Sequence, residues 1–200
     1  MIQRLLKLSN GATIPTVGLG TWRFPTELVA DAVYYAITKA TYRHIDCASI
    51  YQNQKEIGQV FEKVFKTTNI QRDHIFITSK VWNTSHHPKN VVKECKQTLS
   101  DLQLDYLDLY LMHWGIAFKP GAELEPIDEH GYPVTEAVSV QETWQAMESL
   151  VKKGLVKAIG VANFTATQLV DLLTYAKIKP AMNQVELHPY LTQTALIDFC

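Results

Sequence analysis

Short apolar runs and longer amphipathic stretches alternate along this 200-residue chain. Residues 14–19, 44–46, 75–80, 107–113, 156–161 and 181–186 are apolar and rich in β-branched and aromatic side chains, which predicts six buried strands. Each is followed by a stretch with helical spacing, at about Glu27–Ala40, Gln54–Lys66, Asn90–Leu99, Gln141–Lys153, from Ala166, and from near Gln193. Thr26 is the expected N-cap of the first helix. Ser139 with Glu142, and Thr165 with Gln168, have the spacing of capping boxes, in which hydroxyl and carboxyl or amide satisfy orphan backbone amides reciprocally. Before the first strand, Ser9-Asn10-Gly11 predicts a hairpin turn.

Strands alternating with helices imply a parallel sheet, either doubly wound or closed as a (β/α) barrel. A doubly wound dinucleotide fold needs a Gly-x-Gly-x-x-Gly turn after its first strand. The nearest match here, Gly18-Leu19-Gly20-Thr21-Trp22-Arg23, puts arginine at the third glycine, so the barrel reading is preferred.

Within that barrel, Asp46, Tyr51, Lys80 and His113 each lie at or just past the carboxyl end of a strand. Loops leaving those ends form the working face of such barrels. An acid, a phenol, an amine and an imidazole would therefore meet at one mouth. Each residue alone has an ordinary explanation, as a cap, core filler or surface group, but the four together do not. Such a set suits proton transfer to a developing oxyanion, for instance the alkoxide that would be left if hydride were added to a carbonyl. Tyr51 is the expected donor, with Lys80 pulling its pKa down towards working pH. Asp46 would pair with Lys80 and hold it charged, and His113 would orient the carbonyl oxygen by a hydrogen bond.

Composition narrows the remaining choices. With 46% hydrophobic residues and no Pro/Ser/Gly-rich linker or charge block, one domain over 1–200 is expected. Nineteen basic against twenty acidic residues give a net charge of −1, which disfavours nucleic acid and anionic membranes as partners. No apolar run is long enough to span a bilayer, and a soluble cytoplasmic protein is expected. Cys47, Cys95 and Cys200 are widely spaced and form no zinc pattern, so no metal is expected. His86-His87, followed by Pro88, is expected in a solvated loop, and His188 before Pro189 in a structural role.

The chain resembles the aldo-keto reductases, most closely the aldose reductase and aldehyde reductase branch. The resemblance rests on Gly18–Trp22, Tyr42–Ala48, Tyr51, Gly58, Leu107–Trp114, Gly160–Phe164 and Asn183–Leu191, in order. It implies a TIM-type (β/α)8 barrel that reduces aldehydes and ketones with NADPH, working as a monomer when the barrel is complete. It further implies nicotinamide contacts from Asn163 and Gln184, near Gly20, Thr21, Trp22 and Asp46. Trp22, Tyr51, Trp82, His113, Trp114 and Phe118 would form the substrate pocket, a set suited to apolar carbonyls. Two positions depart from the family pattern: Ala162 stands where serine is usual, and Gly115 where proline is. Six of eight βα units are counted, so the barrel is expected to be incomplete at its carboxyl end. A catalytically silent relative with a binding or regulatory role is the alternative function. A metal-dependent barrel hydrolase is disfavoured, because no His-x-His pair follows the first strand.

Overall fold

In the computed structural model, residues 4–200 are described. A hairpin of β1 (Leu5–Lys7) and β2 (Thr13–Pro15) precedes a curled parallel sheet of six strands. These are β3 (Leu19–Gly20), β4 (His44–Asp46), β5 (Phe76–Val81), β6 (Leu107–Met112), β7 (Val156–Ala162) and β8 (Asn183–Gln184), adjacent in sequence order. The connecting helices are α1 (Thr26–Thr38), α2 (Gln54–Thr67), α3 (Pro88–Leu102), α4 (Val140–Lys152) and α5 (Ala166–Tyr175), with α6 (Thr194–Phe199) after β8. Consecutive parallel strands with helical crossovers are the TIM-barrel arrangement, here with six strands.

The two faces of the sheet carry two cores, as a period-2 strand covered on both sides requires. Ile45, Ile77, Tyr110, Met112, Ile159 and Val161 point outward and pack on the helices, among them Trp144, Phe61 and Val33. Phe76, Leu109, Leu111, Ala158 and Ala162 point into the lumen, where Leu8 and Ile14 of the hairpin segment plug its amino-terminal end. Strand alternation then puts Asp46, Lys80 and His113 on the lumen face at the opposite, carboxyl end.

Two predicted starts are confirmed: Ser139 Oγ accepts from the Glu142 amide at 3.1 Å, Thr165 Oγ1 from the Gln168 amide at 3.3 Å, and both boxes are complete. The Ser9–Gly11 turn also forms, with Gly11 at φ 87°, in the left-handed region that glycine enters freely.

Other expectations need correction. The predicted strand 14–19 is divided: Ile14 and Pro15 end the hairpin, Thr16–Gly18 cross exposed, and only Leu19–Gly20 join the barrel sheet. Pro15 lacks the amide that would continue a ladder. Thr26 is not a cap but the first helical residue. Pro25 precedes it in extended conformation and its carbonyl accepts from Leu28 and Val29, each at 3.0 Å. The predicted strand 181–186 shrinks to Asn183–Gln184. His86 is not solvated: it is 1% exposed, its carbonyl accepts from Thr143 Oγ1 of α4 at 3.0 Å, and burial lowers its pKa to about 4. A 3-10 turn at Asn83–Ser85 bends that segment inward. His188, by contrast, has the structural role expected of it: though exposed, it organises its own turn, pairing with Leu191 through two backbone bonds of 3.1 and 2.8 Å.

Candidate active site

The register of the parallel strands assembles the site. Gly20 lies beside Asp46, Asp46 beside Thr78, and Lys80 beside Leu111. Lys80 thus stands two residues further along its strand than the partner of Asp46, and its long side chain folds back. The side chain is 1% exposed, and its ammonium uses all three of its protons. It donates to Asp46 Oδ2 at 2.6 Å, to the Cys47 carbonyl at 3.0 Å, and to the Tyr51 hydroxyl oxygen at 3.1 Å. A charge taken from water needs such full pairing.

Tyr51 ends a 3-10 turn, Ser49–Tyr51, which follows β4 directly. Its ring meets that of His113 edge-on at 5.9 Å, and the Trp82 ring meets His113 at 5.1 Å. Phe118 lies edge-on to Trp82 at 6.2 Å, and the Trp82 indole donates to the Leu124 carbonyl at 2.6 Å. All four members of the predicted tetrad are therefore brought together, with Trp82 and Phe118 forming one wall. Trp22 and Trp114 are exposed at 62% and 44% and make no ring contact with Tyr51 or His113 among the described residues. Arg23 covers the Trp22 ring at 4.4 Å.

One electrostatic expectation is corrected. Burial pushes the Tyr51 pKa above its ordinary value, and the opposing pull of Lys80 is smaller. The phenol is protonated at neutral pH. The Lys80 ammonium, which donates to that oxygen, opposes the upward shift. Burial, with Lys80 second, brings His113 down to about 3, so its imidazole is neutral. Its Nδ1 is buried without a partner.

The predicted cofactor residues fall into two groups. Thr21 is fully buried and its hydroxyl donates to the Asp46 carbonyl at 2.9 Å, so it braces β4 and presents no hydroxyl to a ligand. Asn163 and Gln184 face the site but hold protein partners with their amide nitrogens. Asn163 Nδ2 donates to the His113 carbonyl at 3.0 Å and Gln184 Nε2 to Asp46 Oδ1 at 2.9 Å. Asn163 adopts φ 60°, a left-handed conformation that asparagine tolerates. A cavity of about 370 Å³ lies along Gly18, Gly20, His44, Asp46, Met182 and Gln184. A second, of about 410 Å³, is at the hairpin end beside Arg43, Asp108 and Lys157, away from the tetrad.

Sequence reasoning overlooked two polar braces. Asn53 is fully buried and its Nδ2 donates to the Thr21 carbonyl at 2.9 Å, fixing the loop that bears Trp22. Glu94 lies on the stripe of α3 that also holds Val91, Cys95 and Thr98, and an acid among buried positions at helical spacing was the available signal.

Comparison with known proteins agrees with this fold. A sequence model of the aldo/keto reductase family matches residues 16–200. Aldose reductase C of Dictyostelium discoideum is 53% identical over 201 residues, spanning 97% of this chain and 62% of that protein. Aldo-keto reductase family 1 member A1 of Gallus gallus is 50% identical over 194 residues, spanning 96% and 59%. The solved aldose reductase of Schistosoma japonicum superposes with a TM-score of 0.95 at 43% identity, covering 98% of this chain and 65% of that one. That from Giardia lamblia gives 0.90 at 50% identity, covering 92% and 61%. The chain belongs to the aldo/keto reductase family. It spans 59–62% of the length of these curated relatives.

Proposed function

We propose that this protein reduces aldehydes and ketones to alcohols with NADPH, and that Tyr51 delivers the proton. The observation that carries the reading is the Lys80 ammonium bonded at once to Asp46 and to the Tyr51 hydroxyl, with the His113 imidazole against the Tyr51 ring.

The residues present fit a nicotinamide amide. Asn163 and Gln184 each tie down their nitrogen, which leaves two amide oxygens as acceptors, and Gln184 shares its cavity with Gly20, where an added Cβ would meet nothing within 4 Å. Ala162, which pairs with Gln184 across β7 and β8, contributes no hydroxyl there. NADPH, when bound, supplies the hydride. The protein's own task is orientation and proton delivery. The neutral His113 has one N–H to offer a carbonyl oxygen, which orients it without competing for the proton. As negative charge develops on that oxygen, the Tyr51 phenol gives up its proton to it, because an alkoxide is far more basic than a phenolate. Lys80 already donates to the Tyr51 oxygen and stabilises the phenolate left behind. Trp82 and Phe118, with Tyr51, offer apolar and aromatic surface to the substrate, so uncharged aromatic and aliphatic aldehydes are the proposed class.

The test is the loss of reduced nicotinamide absorbance when the full-length protein meets a panel of uncharged aldehydes. Turnover with NADPH well above that with NADH is expected. NADPH binding with no turnover on the whole panel would overturn the reductase reading in favour of a regulatory one.

A further inference from the structure

We propose that Glu94 is a positioning residue for this site, fastening the turn that carries Tyr51 to the end of the strand that carries Lys80. The inference rests on the reductase reading above and names a residue outside the tetrad that sets its geometry.

Glu94 Oε1 accepts two short hydrogen bonds. One comes from Ser49 Oγ at 2.7 Å, the other from the Trp82 amide at 2.7 Å. Ser49 opens the 3-10 turn that Tyr51 closes, and Trp82 is two residues beyond Lys80. One carboxylate oxygen therefore spans the two segments whose side chains must meet at 3.1 Å. Ser49 Oγ also lies 3.5 Å from the Lys80 carbonyl, so the three groups form one junction.

The other ties nearby do not do this. The Cys47 amide bonds the Thr78 carbonyl before the turn begins, and Ser79 Oγ donates to Gln54 beyond it. Besides the adjacent Gln52, whose Nε2 donates to the Ser49 carbonyl at 3.0 Å, Lys80 and Glu94 are the groups among the described residues whose side chains bond the 49–51 turn, and both come from other elements of the barrel. Holding the Trp82 amide also holds the indole against His113.

A carboxylate is an expensive choice at this position. Neighbouring positions of the same stripe, Val91, Cys95 and Thr98, are buried, and desolvation raises the Glu94 pKa, opposed by the bonds from Ser85, Ser49 and Trp82. Accepting two bonds on one oxygen is something an apolar side chain there could not do, and charged acceptors make the stronger bonds.

The experiment compares wild type, Glu94→Ala and Glu94→Gln in the full-length protein. Ring-labelled tyrosine is titrated by NMR, with Tyr51→Phe identifying the Tyr51 resonance, and kcat, KM and NADPH affinity are measured alongside. Glu94→Ala should move the Tyr51 titration upward, because a loosened Lys80 favours the phenolate less, reducing phenolate at a given pH by about tenfold. It should lower kcat with NADPH affinity unchanged. Glu94→Gln keeps an acceptor oxygen and should restore most of both. An unmoved Tyr51 titration in Glu94→Ala, or Glu94→Gln no nearer to wild type than Glu94→Ala, overturns the proposal. Should Glu94→Ala not fold, Ser49→Ala deletes one of the two bonds with little change in volume and must raise the titration by itself; no shift overturns the proposal. A wild type without turnover overturns the reductase reading alone, since the titration still decides the role of Glu94.

Discussion

Lys80 is the residue on which the others depend. Its three donors go to acceptors on β4, on the residue after it and on the turn that follows, so removing the amine leaves Asp46 partly buried without a cation and Tyr51 without its electrostatic support. Lys80→Met should raise the Tyr51 titration, whereas Asp46→Asn should move it less, because it loosens the amine but also removes a carboxylate that itself holds the Tyr51 pKa up. Because both act through one ion pair, the double variant should lose clearly less kcat/KM than the sum of the two single losses. Additive losses in that cycle, measured from pH–rate profiles, would mean that the pair does not act as a unit. The identities of the four groups were legible in the sequence because each sits at the end of an apolar run. Their balance was not. Whether Lys80 or burial dominates the Tyr51 pKa depends on how much protein surrounds the phenol, and no local motif encodes that.

Helices α2 and α3 meet where Gly58 faces the end of α3. A Cβ at Gly58 would lie 2.1 Å from the Asp101 carbonyl oxygen, a backbone atom that cannot rotate aside. Gly58→Ala should therefore destabilise the protein by roughly 1–3 kcal/mol, the ordinary cost of overpacking, seen as a lower denaturant midpoint with an unchanged slope. A change within about 0.5 kcal/mol, the range of neutral surface substitutions, would show that the helices can part at little cost. Elements with strong local signals were read correctly, as at the capping boxes of α4 and α5 and the hairpin turn. The misreadings fall where tertiary context decides. The run 14–19 is apolar enough for one strand, yet it is shared between a hairpin that plugs the lumen and a two-residue barrel strand. His86 lies in a segment whose local sequence is that of a loop, yet it is buried and α4 bonds its carbonyl.

At the scale of the molecule, burial of neutral imidazoles makes stability depend on pH. His86 and His113 have pKa values of about 4 and about 3 against an ordinary 6.5, so the native state binds fewer protons than the unfolded chain in that interval. Their contribution is complete above about pH 6.5 and is lost as pH falls towards 4 and 3. Thermal midpoints should decline over this window, and less steeply in His86→Gln. An identical slope in that variant would mean that His86 is protonated in the native state.

Across the chain, six parallel strands in sequence order are foreseeable from alternating periodicities, and the family resemblance of the sequence agrees with a match over residues 16–200. Among the described residues no helix is long and apolar enough to cross a membrane. The central claim is that the lumen mouth assembled by β4, β5 and β6 delivers a proton from Tyr51 to a carbonyl being reduced. Tyr51→Phe tests it most directly, with NADPH affinity and aldehyde turnover measured on the same preparation. Turnover should vanish while NADPH affinity stays nearly unchanged, the signature of a group needed only in the transition state. Turnover close to wild type in Tyr51→Phe would contradict the account and pass the proton to another group at the mouth, His113 first among them.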